Sequence, residues 1–171
     1  MIYSIVRYGQ PVLEQKAETI TEFDTPELRK LVEDMFESMY AARGVGLAAP
    51  QIGVSKRLAV IDISNGEEPD KKLVLINPEI ISKEGTQTGE EGCLSLPTFR
   101  ETVTRPKTVT VRAQDVEGKT FEMTGEDLLA RAFLHETDHL NGRLYITHIS
   151  PLKRDLIRRK IRKLQKANEW G

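Results

Sequence analysis

Between Pro26 and Arg43 the apolar positions recur at a helical period. Leu28, Leu31, Val32, Met35, Phe36 and Met39 fall at i, i+3, i+4, i+7, i+8 and i+11, which makes one apolar stripe on an otherwise polar helix. Thr25 suits the N-cap, Pro26 the first helical position, and Gly44 the stop. Gly44–Gln51 (GVGLAAPQ), with two glycines and a proline, reads as a loop. The pattern then becomes strand-like. Arg57–Ile63 and Lys72–Ile76 are runs of aliphatic and β-branched residues. In Thr108–Arg112, Val109 and Val111 share a face. Thr120–Met123 follows Glu117-Gly118, which suits a hairpin turn. A helical pattern returns over Glu126–Leu140, with Leu128, Leu129, Ala130, Ala132, Phe133 and Leu140 apolar, and Asn141-Gly142 stops it. Ser150-Pro151 opens a third helix, with Leu152, Leu156, Ile157, Ile161 and Leu164 expected on one side. No regular βαβ alternation or internal repeat is present. These elements predict an α+β fold: short, mostly antiparallel strands around one long buried helix, with N-terminal and C-terminal helices, in a single domain over 1–171.

Composition changes this picture little. At 171 residues, 39% apolar and 30% charged, the chain can bury a sizeable core and does not read as disordered. Charge is unevenly spread. Pro151–Gly171 carries eight Lys/Arg against Asp155 and Glu169, a balance of +6, so the rest of the chain carries −7 under a net charge of −1. A basic helix over 151–168 fits either a solvated face or contact with an acidic partner such as nucleic acid. Cys93 is the only cysteine, which excludes an internal disulfide and suits a reducing compartment. No apolar run approaches membrane-spanning length and MIYSIVRYGQPVLEQ does not read as a targeting segment, so a cytoplasmic protein is expected.

The candidate chemistry lies in His135-Glu136-Thr137-Asp138-His139. Four residues apart on a helix, His135 and His139 point to the same side and can share one cation. Glu136 can reach a water there without ligating the cation, as a general base should. The chain has three histidines, and two of them stand at this spacing. A catalytic cation needs a third protein ligand and an open position. Downstream of Asn141 the only acidic residues are Asp155 and Glu169, both on the basic helix, which does not suit a thermolysin-like site. The metzincin pattern needs a histidine where this chain has Tyr145, and His148 lies beyond the helix stop. Cys93, in Glu91-Gly92-Cys93-Leu94-Ser95, remains as a thiolate ligand. It also reads as a buried inert thiol or as a nucleophile, although a nucleophile would leave the paired histidines unexplained. Gln51 by itself reads as a loop residue capping the turn after Pro50.

Three motifs in order, GVGLAAPQ over 44–51, EGCLS over 91–95 and HETDH over 135–139, resemble those of the peptide deformylase family. The likeness extends from Tyr8–Leu13 to Ser150-Pro151-Leu152 and so covers essentially the whole chain. It implies a metal-dependent hydrolase that removes the N-formyl group from the N-terminal formyl-methionine of new polypeptides and releases formate. On that resemblance Cys93, His135 and His139 hold the metal, and Glu136 moves the protons. The Gln51 side chain and the Leu94 backbone N–H stabilise the oxyanion. Val45 and Gly46, with Glu91 and Gly92 opposite, bind the peptide as an added strand, and Leu128 and Ala132 form the methionine pocket. Arg100 pairs with Glu91 behind the site, and Asp138 is a supporting residue. The resemblance further implies one divalent metal ion, natively Fe2+, with Zn2+, Ni2+ or Co2+ accepted. The basic C-terminal helix would contact the ribosome, with no membrane partner. The chain departs from common family residues at Gln10, Glu14 and Leu134, none of which is a proposed ligand.

Overall fold

The computed structural model describes residues 1–171. Helix α1 spans Pro26–Ala41; the Thr25 hydroxyl accepts from the Leu28 N–H at 3.1 Å, so the expected cap forms. It ends two residues earlier than the pattern suggests. Arg43, not Gly44, takes the left-handed conformation, and the Gly44 N–H closes on the Met39 carbonyl. Strand β1, Gly46–Ala48, lies inside the stretch expected to be loop. The remaining strands are β2 (Leu58–Ile61), β3 (Leu73–Glu84), β4 (Gln87–Cys93), β5 (Leu96–Arg105), β6 (Thr108–Gln114) and β7 (Thr120–Glu126). Helix α2 spans Leu128–Leu140 and α3 Pro151–Lys166. The pattern placed the start of α2 at Glu126. In the structure Gly125 and Glu126 still pair with Val109 and Thr108, so the β6–β7 ladder holds them extended.

Five strands form an antiparallel sheet in the order β1-β2-β3-β6-β7, and β4 and β5 form a separate two-stranded ribbon. The sheet is covered on both faces. Leu58, Val60 and Ile76 meet Leu28, Val32, Met35, Phe36 and Met39 of α1. On the other face, Ile61, Leu75, Val109 and Val111 meet Ala130, Phe133 and Leu134 of α2. Alternate residues of β2 thus serve different helices, which is why Arg57–Ile63 reads as an unbroken apolar run rather than an alternation. The third side of the core joins Leu96 and Val103 of β5 to Ile157 and Ile161 of α3, with Leu13, Tyr145 and Trp170. Helix α2 therefore lies between the large sheet and the ribbon, as a central helix. Leu152 and Leu156 do not join this core. They are 70% and 48% exposed, so the buried face of α3 is narrower than its sequence pattern suggests.

Strands β4 and β5 have no periodic signal in the sequence. Their inward positions are held by Glu91 and Arg105 as well as by Leu96 and Val103, and buried charges erase the apolar alternation that marks a strand.

Gly142 ends α2 with φ +78°, and its N–H bonds to the His139 carbonyl at 3.0 Å. A Cβ there would lie 2.8 Å from the backbone carbonyl of Glu14. Gly142→Ala adds both left-handed strain and a backbone clash. It is expected to lower stability by about 1–3 kcal/mol, which thermal denaturation will read as a fall of several degrees in Tm.

Candidate metal centre and active site

Helix α2 and the ribbon strand β4 carry the groups that converge. His135 and His139, one turn apart, bring their Nε2 atoms to 3.2 Å, and Cys93 Sγ lies 3.3 Å from His139 Nε2. The three donor atoms all lie within 4.8 Å of one another. Burial opposes the charge on Cys93, but the two imidazoles outweigh it and bring the thiol down to about 5. The same thiolate and the Glu91 carboxylate raise His135 against the opposing effect of burial. A divalent cation would take the place of the proton that His135 holds and use the same three atoms. One thiolate and two imidazoles suit zinc or ferrous iron, and three protein ligands leave a position open.

Glu136, one residue along from His135, is 3% exposed and its Oε1 has no hydrogen-bond partner. Burial pushes its carboxyl up, which makes it a better proton acceptor near neutral pH. Gly46 on β1 stands against it: a Cβ at that position would overlap Oε2. The glycine in GVGLAAPQ is required because backbone and carboxylate approach this closely.

Gln51 does more than cap its turn. Its Oε1 accepts from the Ala48 N–H at 3.0 Å, which points Nε2 towards Cys93 Sγ at 3.5 Å and Ser95 Oγ at 3.2 Å. Ser95, fully buried, was not singled out from the sequence. Tyr145 was also missed; its ring stacks on His135 with centroids 6.4 Å apart and 21° between planes. No spacing rule could find it, because it follows the helix stop.

The expected partner of Glu91 is corrected. Arg105, not Arg100, forms the pair, through Nε at 3.1 Å and Nη2 at 2.6 Å. Glu91 faces Glu101 across the ribbon, and side chains of one strand alternate between faces. Positions 101, 103 and 105 therefore share the face of Glu91. Arg100 lies on the other face, with Glu90, and its Nη1 reaches over Gly92. Arg131 of α2 also donates to Glu91 at 2.8 Å, and His135 Nδ1 lies 2.7 Å from Glu91 Oε2. Against the cost of burial, these partners hold Glu91 well below the usual carboxylate range. Asp138 accepts from Arg105.

A cleft of about 550 Å³ opens onto this cluster. Val45, Gly46 and Gln51 line one side and Glu91, Gly92, Cys93, Leu94 and Arg100 the other. Leu128, Ala132, His135 and Glu136 line the α2 side. Of the sequence-derived site residues, only Asp138 and His139 lie outside the lining, one on the far side of Arg105 and one behind Cys93. No helix is long and apolar enough to cross a membrane.

The likeness seen in the motifs extends to whole proteins. Residues 2–155 match the family model for polypeptide deformylase. A peptide deformylase of Acidobacterium capsulatum is 65% identical over 170 residues, with 99% of each chain covered. One from Thermodesulfovibrio yellowstonii is 51% identical, covering 94% of this chain and 97% of that one. Among solved structures, a peptide deformylase from Legionella pneumophila superposes with a TM-score of 0.90 at 48% identity and 98% coverage of both chains. One from Thermus thermophilus gives 0.87 at 41% identity and 95% of both. With its three motifs meeting in one cleft, and with relatives of this similarity over nearly its full length, the chain belongs to the polypeptide deformylase family.

Proposed function

We infer that this chain is a metal-dependent hydrolase that removes the N-formyl group from the N-terminal formyl-methionine of newly made polypeptides and releases formate. The observation that carries the reading is Glu136: a buried carboxylate with an unpartnered oxygen beside three converging metal donors, at the end of a cleft. A divalent cation, when bound, supplies a Lewis-acid charge that polarises the formyl carbonyl and makes water at the open position more acidic.

The chain's own groups do the rest. Cys93, His135 and His139 hold the cation. Gln51, its amide oriented by the Ala48 N–H, donates to the oxygen that becomes negative, together with the Leu94 N–H. Glu136 accepts a proton from the attacking water and returns one to the departing amine. The peptide lies extended between Val45-Gly46 and Glu91-Gly92, where β1 forms the edge of its sheet. Leu128 and Ala132 receive the methionine side chain. The family resemblance, not the donor set, points to Fe2+ as the native ion; a thiolate with two imidazoles also accepts Zn2+, Ni2+ or Co2+. A reducing bacterial cytoplasm as the setting and a single catalytic unit over 1–171 belong to the same reading.

The test is formate release from formyl-Met-Ala-Ser with defined metals under anaerobic, reducing conditions. Cleavage of blocked peptides that lack a formyl group would favour a metallopeptidase instead.

Helix α3 carries the partner proposal. Its exposed positions include Lys153, Arg158, Arg159, Arg162 and Lys163 beside the uncovered Leu152 and Leu156. We propose that this face contacts the ribosome, where phosphates supply the opposite charge. Reversing Arg158, Arg159 and Arg162 to glutamate should weaken ribosome co-sedimentation about 10-fold or more at low salt and leave tripeptide turnover unchanged. Unchanged co-sedimentation would count against the contact.

A further inference from the structure

The ion cluster around Glu91 continues past Arg105. Arg105 Nη1 donates to Asp138 Oδ2 at 2.8 Å, and His148 Nε2 lies 2.8 Å from that same oxygen. A continuous path of side-chain hydrogen bonds thus joins His148, Asp138, Arg105, Glu91 and His135. It begins at a partly exposed histidine on the 3-10 turn Tyr145–His148 and ends on the His135 imidazole of the metal cluster, 11% exposed.

We propose that His148 is a positioning residue for the metal site. By holding Asp138 it keeps Arg105, and through Arg105 Glu91, in the arrangement that orients His135. The inference rests on Cys93, His135 and His139 being the metal ligands.

Three observations carry it. Arg105 is only 3% exposed, and all three of its nitrogens are committed: Nε and Nη2 to Glu91, Nη1 to Asp138. If Asp138 turns away, a buried guanidinium loses one partner and must shift on the other, which is Glu91. Asp138 is the link that can turn, because its side chain is 17% exposed at the edge of a groove with Lys16, Asn141 and Arg143. Two donors meeting on one oxygen hold it in a single rotamer. The turn that carries His148 is itself anchored, since Arg154 of α3 donates to the carbonyls of Ile146 and Ile149 at 3.0 and 3.2 Å. That turn also presents Tyr145 to the face of His135. It therefore reaches the same imidazole twice, by ring stacking and by the hydrogen-bonded path. His148 is outside the donor cluster, so it acts through other residues and not as a ligand.

The test is zinc release from the loaded full chain into excess chelator. Groups that orient a metal ligand are worth about 10–100-fold in affinity, and His148 stands several links out. His148→Ala is expected to release zinc about 10-fold faster, the low end of that range. His148→Gln should stay near wild type, because its amide Nε2–H can stand where the imidazole Nε2–H does. Adding His148→Ala to Asp138→Asn should change nothing further, since the effect passes through Asp138. Wild-type retention by His148→Ala would overturn the proposal. So would equal loss in the alanine and glutamine variants, which marks a role in the turn alone, or additive effects in the double variant. A wild-type chain that takes up no zinc would sink the metal reading itself and this inference with it. A wild-type chain that holds zinc no better than His148→Ala sinks only this inference.

Discussion

Glu136→Ala is expected to keep its metal and lose turnover by about 10²–10⁴-fold, the usual contribution of a positioned general acid–base group. The carboxylate does not belong to the donor cluster, which consists of Cys93, His135 and His139. Removing it takes no ligand from the cation. Its Oε1 is buried without a partner, so the native fold gains no hydrogen bond from that oxygen and loses none when it is removed. Burial already raises this carboxyl, as suits a group that exchanges protons during a reaction. Metal content by elemental analysis and steady-state formate release decide the matter together. An alanine variant near the wild-type rate would show that Glu136 is not the proton carrier. A variant that lost metal as well as rate would make it part of the metal site.

Cys93→Ala is expected to lose metal and activity together. Deleting a ligand costs more than deleting a group that orients one, and the latter already costs about 10–100-fold in affinity. The two imidazoles that remain supply no negative charge, whereas the thiolate is stabilised down to about 5 by those same imidazoles. The cleft should otherwise persist, because Cys93 closes a ribbon held by six other paired positions from Gln87↔Arg105 to Gly92↔Arg100. If Cys93→Ala keeps a full equivalent of metal, the third ligand is misassigned. If it keeps activity at trace metal, the reaction needs another explanation.

Much of the site was legible in the sequence because it is local. Two histidines four apart on a helix share a face wherever that helix packs, and a glutamate beside the first accompanies them. The elimination that led to Cys93 needed only the chain's small supply of other candidate ligands. The distant parts were less legible. Gly46 reads as loop because a three-residue strand, Gly46–Ala48, has no periodicity to detect, yet it pairs with β2 in register from Gly46↔Ile61 to Ala48↔Ala59. Leu134, one of the positions where the chain departs from common family residues, packs against the large sheet and so needs no polar partner.

The partner of Glu91 divides the two kinds of information. Arg100 and Arg105 are both on the strand that follows, and proximity along the chain favours neither strongly. Only the β4–β5 register, with Glu91 opposite Glu101, decides which arginine shares its face. A shift of one residue would exchange them, because the pleat alternates every residue. By itself the sequence determined the α+β class, the central helix and the pair of imidazoles with a glutamate beside them, and left Cys93 as the candidate third donor, since helical periodicity and residue chemistry are properties of short segments. Tertiary structure alone decided that Arg105, Asp138 and His148 stand in line behind His135. It also decided that Gln51 turns its amide to Cys93 and that Tyr145 covers the imidazole. Those contacts join residues up to 44 positions apart, and packing and strand register, not local pattern, bring such segments together.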